Sequence, residues 1–202
     1  KDETSMQQAY EGPGRSMGFE IFEALDFNEL ALETAKSAIT LLSAEDIESQ
    51  VMPVVLHNGF GGVIFHEACG HPLEATAVAK GLSPFVDKVG EKIGSDVVTA
   101  YDNGTVDNAW GRLSYDDEGR PTQNNLLIEK GVLKGYLVDF RRGRMMNAKP
   151  TGSGRRQSYK FSPTSRMNST YIAPGTDKVE DIIKDTKYGL FAKKMGGGSV
   201  QP

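Results

Sequence analysis

His66-Glu67-Ala68-Cys69-Gly70-His71 sets two imidazoles five residues apart, with a carboxylate directly after the first. Imidazole nitrogens are common ligands for zinc, and a carboxylate beside them is a frequent general base in metal-assisted hydrolysis. The chain holds three histidines in 202 residues, His57, His66 and His71, and all fall within one short span. That cluster is where chemistry is expected, and the chemistry is attack of an activated water on a peptide carbonyl.

The spacing constrains the backbone. In a His-Glu-x-x-His pair the rings lie four residues apart, and a helix turning ~100° per residue returns the second to within roughly 40° of the first. Five residues on a regular helix separate the rings by roughly 140°, too wide for both to meet one ion, so the helix must loosen or end. Gly70 permits unusual backbone angles and Pro72 disfavours the α region at His71. His66 is therefore expected to project from a helix, and His71 from its distorted last turn or a π-bulge. Glu67 then flanks the metal as the catalytic carboxylate. Catalytic zinc usually takes three protein ligands. Glu74 is the nearest further oxygen donor along the chain, read either as that ligand or as a surface or supporting carboxylate. Cys69, the only cysteine, is expected to pack as a small hydrophobe. The competing reading makes His66 and His71 core or helix-end histidines satisfied by hydrogen bonds.

The elements that must position these residues follow from periodicity. Residues 28–43 carry Ala31, Ala35, Ala38 and Leu42 at helical spacing after the capping candidates Asp26 and Asn28, which predicts an amphipathic helix. Residues 51–56 predict a buried strand, turned by Asn58-Gly59 and Gly61-Gly62 into the helix that bears His66. A short helix is expected over 74–80 with Gly81 as its stop. Strands are expected at 97–101 and 126–138, the latter folding back at Glu129-Lys130-Gly131 as a hairpin. A short basic helix over 139–146, a mobile or functional loop over 149–154, a helix over 177–187 and a strand from Leu190-Phe191 complete the pattern. Locally paired strands interspersed with helices predict an α+β fold, with a largely antiparallel or mixed sheet, packed helices and the metal motif on a helix after a buried strand.

Composition bounds the rest. The length and apolar content support one large domain or a domain with an appendage. No apolar run approaches the ~20 residues needed to span a bilayer, and a single cysteine excludes an internal disulfide; a cytoplasmic setting without membrane contact is expected. Residues 1–50 carry 11 acidic against three basic residues, whereas Arg141 to Arg166 holds eight basic residues and no acid. The expected division is an acidic lead-in over 1–50 and a catalytic domain over 51–202. The basic segment is read first as a solvated or structural face; no zinc-finger, helix-turn-helix or RNA-recognition signature accompanies it, so nucleic acid is not expected as a partner.

Several motifs then fall into a familiar order: Val54-Val55-Leu56, Gly61-Gly62-Val63, the His66 to His71 stretch, Gly154-Arg155-Arg156-Gln157, Arg166-Met167-Asn168-Ser169-Thr170-Tyr171 and Gly196-Gly197-Gly198-Ser199-Val200. Together they resemble the TldD branch of the TldD/PmbA family, over most of the chain from about Val51. The resemblance implies a zinc metallopeptidase with His66 and His71 as ligands and Glu67 as catalytic carboxylate. It implies one Zn2+ per active subunit, a third ligand from a cysteine beyond residue 202, and an internal fragment that is inactive alone. It implies a heterodimer with a TldE/PmbA-type subunit, or self-association, acting on extended or unfolded polypeptides. Gly196, Gly197 and Gly198 are expected to let such a peptide approach by strand addition, against a tight turn or bulge as the alternative. The other reading of the whole chain is a regulatory interaction protein of the gyrase-modulator type, binding an acidic partner or DNA through residues 141–166.

Overall fold

The computed structural model describes residues 6–59 and 61–194, and the chain divides into two compact units. The first comprises Lys1–Val51 with Asn108–Trp110. It contains α1 (Ile21–Ala24) and α2 (Phe27–Leu42). Asp26 caps α2 as its side chain accepts from the Asn28 and Glu29 backbone N–H groups, satisfying two of the donors that a helix start leaves unpaired. None of the α2 side chains is buried.

The second unit, Met52–Asp107 with Gly111–Pro202, carries the His-Glu motif. Its main sheet has four antiparallel strands in the order β4 (Val132–Leu133), β3 (Asn124–Glu129), β2 (Ala100–Asn103), β7 (Ser169–Ile172). The hairpin between β3 and β4 turns at Lys130 and Gly131, both at positive φ, the backbone that a two-residue hairpin turn demands. Two small pairs flank this sheet: β1 (Val54–Leu56) runs parallel to β8 (Leu190–Ala192), and β5 (Gly154–Arg155) antiparallel to β6 (Thr164–Ser165). The helices are α3 (Gly62–Phe65), α4 (Ala75–Val78), α5 (Phe140–Met146) and α6 (Val179–Asp185). This is an α+β fold with mixed pairing. Phe65, Leu73, Ala100, Leu127, Ile128, Leu133, Leu137 and Met167 form one apolar cluster, so the stretch holding the histidines is pinned to the core just before and just after it.

Four expectations need correction. β1 is shorter than predicted and lies exposed at Val54 and Leu56, with Val55 half-buried; its one strand partner, β8, covers an edge and not a face. The strand predicted over 126–138 ends at Leu133, because the backbone of Leu137 turns to bond Leu73 and Ala75 instead. The loop over 149–154 is not a mobile surface segment: Gly152, Ser153 and Gly154 are buried, and the Thr151 N–H donates to Val138 O at 2.9 Å. The fourth correction, at Gly70 and Pro72, belongs to the site.

Candidate metal centre

After α3 the chain does not continue as α-helix. Residues His66–Gly70 form a π turn closed by the His71 N–H donating to the His66 carbonyl, and His71–Leu73 follow as a single 3₁₀ turn. A bond between residues five apart brings the fifth residue back over the first, which resolves the 140° conflict. The two imidazoles meet edge to face with ring centroids 4.7 Å apart. Ligand atoms of His66, Glu67 and His71 all lie within 4.8 Å of one another, and His71 Nε2 is 4.0 Å from Glu67 Oε2.

The devices behind this turn differ from those expected. Gly70 sits at φ −58° and His71 at φ −59°, both in the right-handed helical region, so neither glycine freedom nor a proline-imposed extended residue shapes the backbone. Gly70 is required for space: the Met167 sulfur occupies the volume that a Cβ would need. Pro72 lies in the first turn of the 3₁₀ helix, where its missing N–H costs nothing.

Glu74 lies on the other side of the His71 ring. Its Oε1 is 3.2 Å from His71 Nδ1, so the two nitrogens of that imidazole face two different carboxylates, Glu67 at Nε2 and Glu74 at Nδ1. The Glu74 side chain is only 8% exposed and its Oε2 lies 3.6 Å from Arg166 Nη1. Burial is the main cause that pushes the Glu74 pKa up to about 7, against the lowering effect of Arg166. The His71 pKa is lowered, first by burial and then by the charges of His66 and Arg166, with Glu67 pulling the other way. Cys69 packs against the core cluster and burial pushes its thiol pKa up, which suits a small hydrophobe better than a thiolate ligand. His57 is exposed and its Nδ1 accepts from the Gly59 N–H at 3.2 Å, leaving it outside the cluster. Gly196, Gly197 and Gly198 lie outside the described residues.

Sequence reasoning did not pick out Arg166 or Asp102. Arg166 was one cation in a basic run, yet the β5–β6 pair delivers it to Glu74: Arg166 N donates to Ser153 O at 2.9 Å, and the Thr164 and Thr76 hydroxyls meet at 2.6 Å. Asp102 is fully buried on β2. It accepts from the Asn168 backbone N–H at 2.7 Å and the Thr170 hydroxyl at 2.7 Å, which holds the segment behind Gly70 in place. No local sequence signal marks either residue, because both act through contacts more than 60 positions distant in sequence.

Two imidazoles from a single turn with a carboxylate beside them, one imidazole contacted at its far nitrogen by a buried carboxylate, fit a zinc site. Residues 49–202 match the family model described as the PmbA/TldA metallopeptidase C-terminal domain. A Metalloprotease TldD homolog of Buchnera aphidicola is 45% identical over 168 residues, covering 83% of this chain and 35% of that protein. One from Haemophilus influenzae is 41% identical, covering 94% and 40%, and a Zinc metalloprotease TldD homolog of Saccharolobus solfataricus is 30% identical, covering 91% and 41%. Among solved structures, TldE from Thermococcus kodakarensis superposes with TM-score 0.70 at 26% identity, over 86% of this chain and 40% of that one. A candidate modulator of a DNA gyrase from Thermotoga maritima gives 0.72 at 27% identity, over 87% and 40%. The chain thus spans well under half the length of these relatives.

Proposed function

The chain belongs to the PmbA/TldD metallopeptidase family, and from that premise we propose that His66 and His71 hold one zinc ion while Glu67 serves as the catalytic carboxylate of peptide-bond hydrolysis. The observation that carries this reading is the π turn, which gathers His66, Glu67 and His71 within 4.8 Å. When bound, zinc supplies a Lewis acid that polarises a carbonyl and lowers the pKa of water to about 7. The Glu67 carboxylate, 19% exposed, is open enough to take a proton from the attacking water and to return it to the leaving amine. His71 is held in place by its Nδ1 contact, leaving Nε2 facing Glu67. We assign the third ligand to a cysteine beyond residue 202, so these 202 residues alone are expected to be inactive.

The substrates are extended or unfolded polypeptides, and the partner is a TldE/PmbA-type subunit. Among the described residues no helix is long and apolar enough to cross a membrane. The interaction-protein reading is not favoured: within the basic segment Arg142 and Arg166 pair with Asp139 and Glu74, and the Arg155 and Arg156 guanidinium groups donate to the Met167 and Asp117 carbonyls of the same chain.

The test is metal content by elemental mass spectrometry on this chain and on the longer protein, with and without His66→Ala and His71→Ala. One zinc per longer chain, lost in both variants, is the expected result. A protein that carries no zinc, or carries it regardless of both histidines, overturns the reading.

A further inference from the structure

We propose that Glu74 is a positioning residue for this centre: its Oε1 fixes the Nδ1 side of His71 so that Nε2 is the nitrogen offered to the metal, and its Oε2 is held by Arg166. The inference rests on the metallopeptidase reading and concerns a residue that is neither ligand nor base in it. Three observations carry it. The carboxylate is 8% exposed; one oxygen lies 3.2 Å from His71 Nδ1, within hydrogen-bond distance, and the other forms an ion pair with Arg166 at 3.6 Å. Its backbone is fixed: Glu74 bridges to Leu137, the Ala75 N–H donates to Leu137 O at 2.8 Å, and the Leu137 N–H donates to Leu73 O at 2.9 Å. Glu74 also lies on the side of the His71 ring away from Glu67, so it supports the imidazole from behind and does not join the group formed by His66, Glu67 and His71.

At the mildly alkaline pH of the test below, Glu74 is in its ionised form, which is an acceptor only. Opposite Glu74, His71 therefore carries its proton on Nδ1 and keeps the Nε2 lone pair free. Supporting carboxylates of this kind fix the ring tautomer and orientation of a metal ligand, and their loss typically costs 10–100-fold in metal affinity.

The experiment compares the parent chain with Glu74→Gln, which keeps the volume and one acceptor, and with Glu74→Ala, which removes both. Two readouts are used at mildly alkaline pH: long-range ¹H–¹⁵N spectra of the His71 ring without metal, and zinc affinity in competition with a chelator. The expected result is an Nδ1–H tautomer in the parent, retained in Glu74→Gln and replaced by a mixture in Glu74→Ala, with zinc affinity falling about 10–100-fold in Glu74→Ala and less in Glu74→Gln. Zinc bound through His66 and His71 with an unchanged tautomer and affinity in Glu74→Ala overturns the role of Glu74 and leaves the metallopeptidase reading standing. A tautomer that shifts in Glu74→Ala while the parent and the longer protein bind no zinc leaves the Glu74 contact standing and overturns the metallopeptidase reading, and with it the functional part of this proposal. Should Glu74→Ala fail to fold, Glu74→Met, which keeps the volume and removes both acceptors, takes its place: a mixed tautomer with zinc affinity lowered about 10–100-fold upholds the role, and a parental tautomer and affinity overturn it.

Discussion

The Met167 sulfur lies where a Cβ on Gly70 would have to be. Met167 is 4% exposed and belongs to the apolar core, so a side chain at position 70 would have to displace the end of a core residue. Gly70→Ala is expected to lower stability by about 1–3 kcal/mol through overpacking and to weaken zinc binding by shifting His71. Denaturant unfolding of Gly70→Ala, Met167→Ala and the double variant checks this. A favourable coupling in the double-mutant cycle is expected, and strictly additive losses would contradict the contact.

Glu67→Gln removes the carboxylate proposed as base without emptying the cluster. Peptide hydrolysis by the longer protein should fall about 10²–10⁴-fold, while zinc content stays at the parental level. Hydrolysis that survives undiminished would assign the proton transfer to another group.

Asp102 gives a pH signature independent of the metal. Burial is the largest influence and raises its pKa, against the lowering effects of its hydrogen bonds from Thr170 and Asn168 and of the Arg155 charge. A carboxyl whose native pKa is raised holds its proton more tightly folded than unfolded. Its stabilising contribution is complete below the unfolded value of about 3.9 and is lost as pH rises through the higher native value. The non-ionising Asp102→Asn should therefore cost most at acid pH and progressively less toward neutrality. Paired denaturant midpoints across that range measure it, and a cost that grew with pH would reverse the assignment.

Partnership is testable by mass in solution. Mixing the longer protein with a TldE/PmbA-type protein at micromolar concentration should yield a 1:1 species in light scattering. Two unaltered monomers would remove the heterodimer from the proposal.

Much of this was legible in the residues. The five-residue histidine spacing is incompatible with a regular α-helix, and the π turn at His66–Gly70 is the solution that the structure adopts. Asp26 as the cap of α2 and the turn at Lys130-Gly131 were equally readable, because capping and hairpin chemistry are local. What could not be read was set by distant neighbours. Gly70 looked like a conformational hinge, yet its φ is ordinary and the constraint comes from Met167, almost a hundred positions away. Glu74 looked as much like a ligand as a support until the ring of His71 was placed between it and Glu67. Arg166 was one charge among eight until β6 set it beside Glu74.

The π turn also reconciles two requirements. Phe65 immediately before it and Leu73 just after it are both core residues. A one-residue deletion that converted the π turn into an α turn would leave a four-apart pair within roughly 40° of each other, so Leu73 and Ala75 would keep nearly their direction into the core. The π turn thus absorbs one extra residue locally, so the five-residue histidine spacing and the hydrophobic register of Leu73 coexist in one stretch of chain.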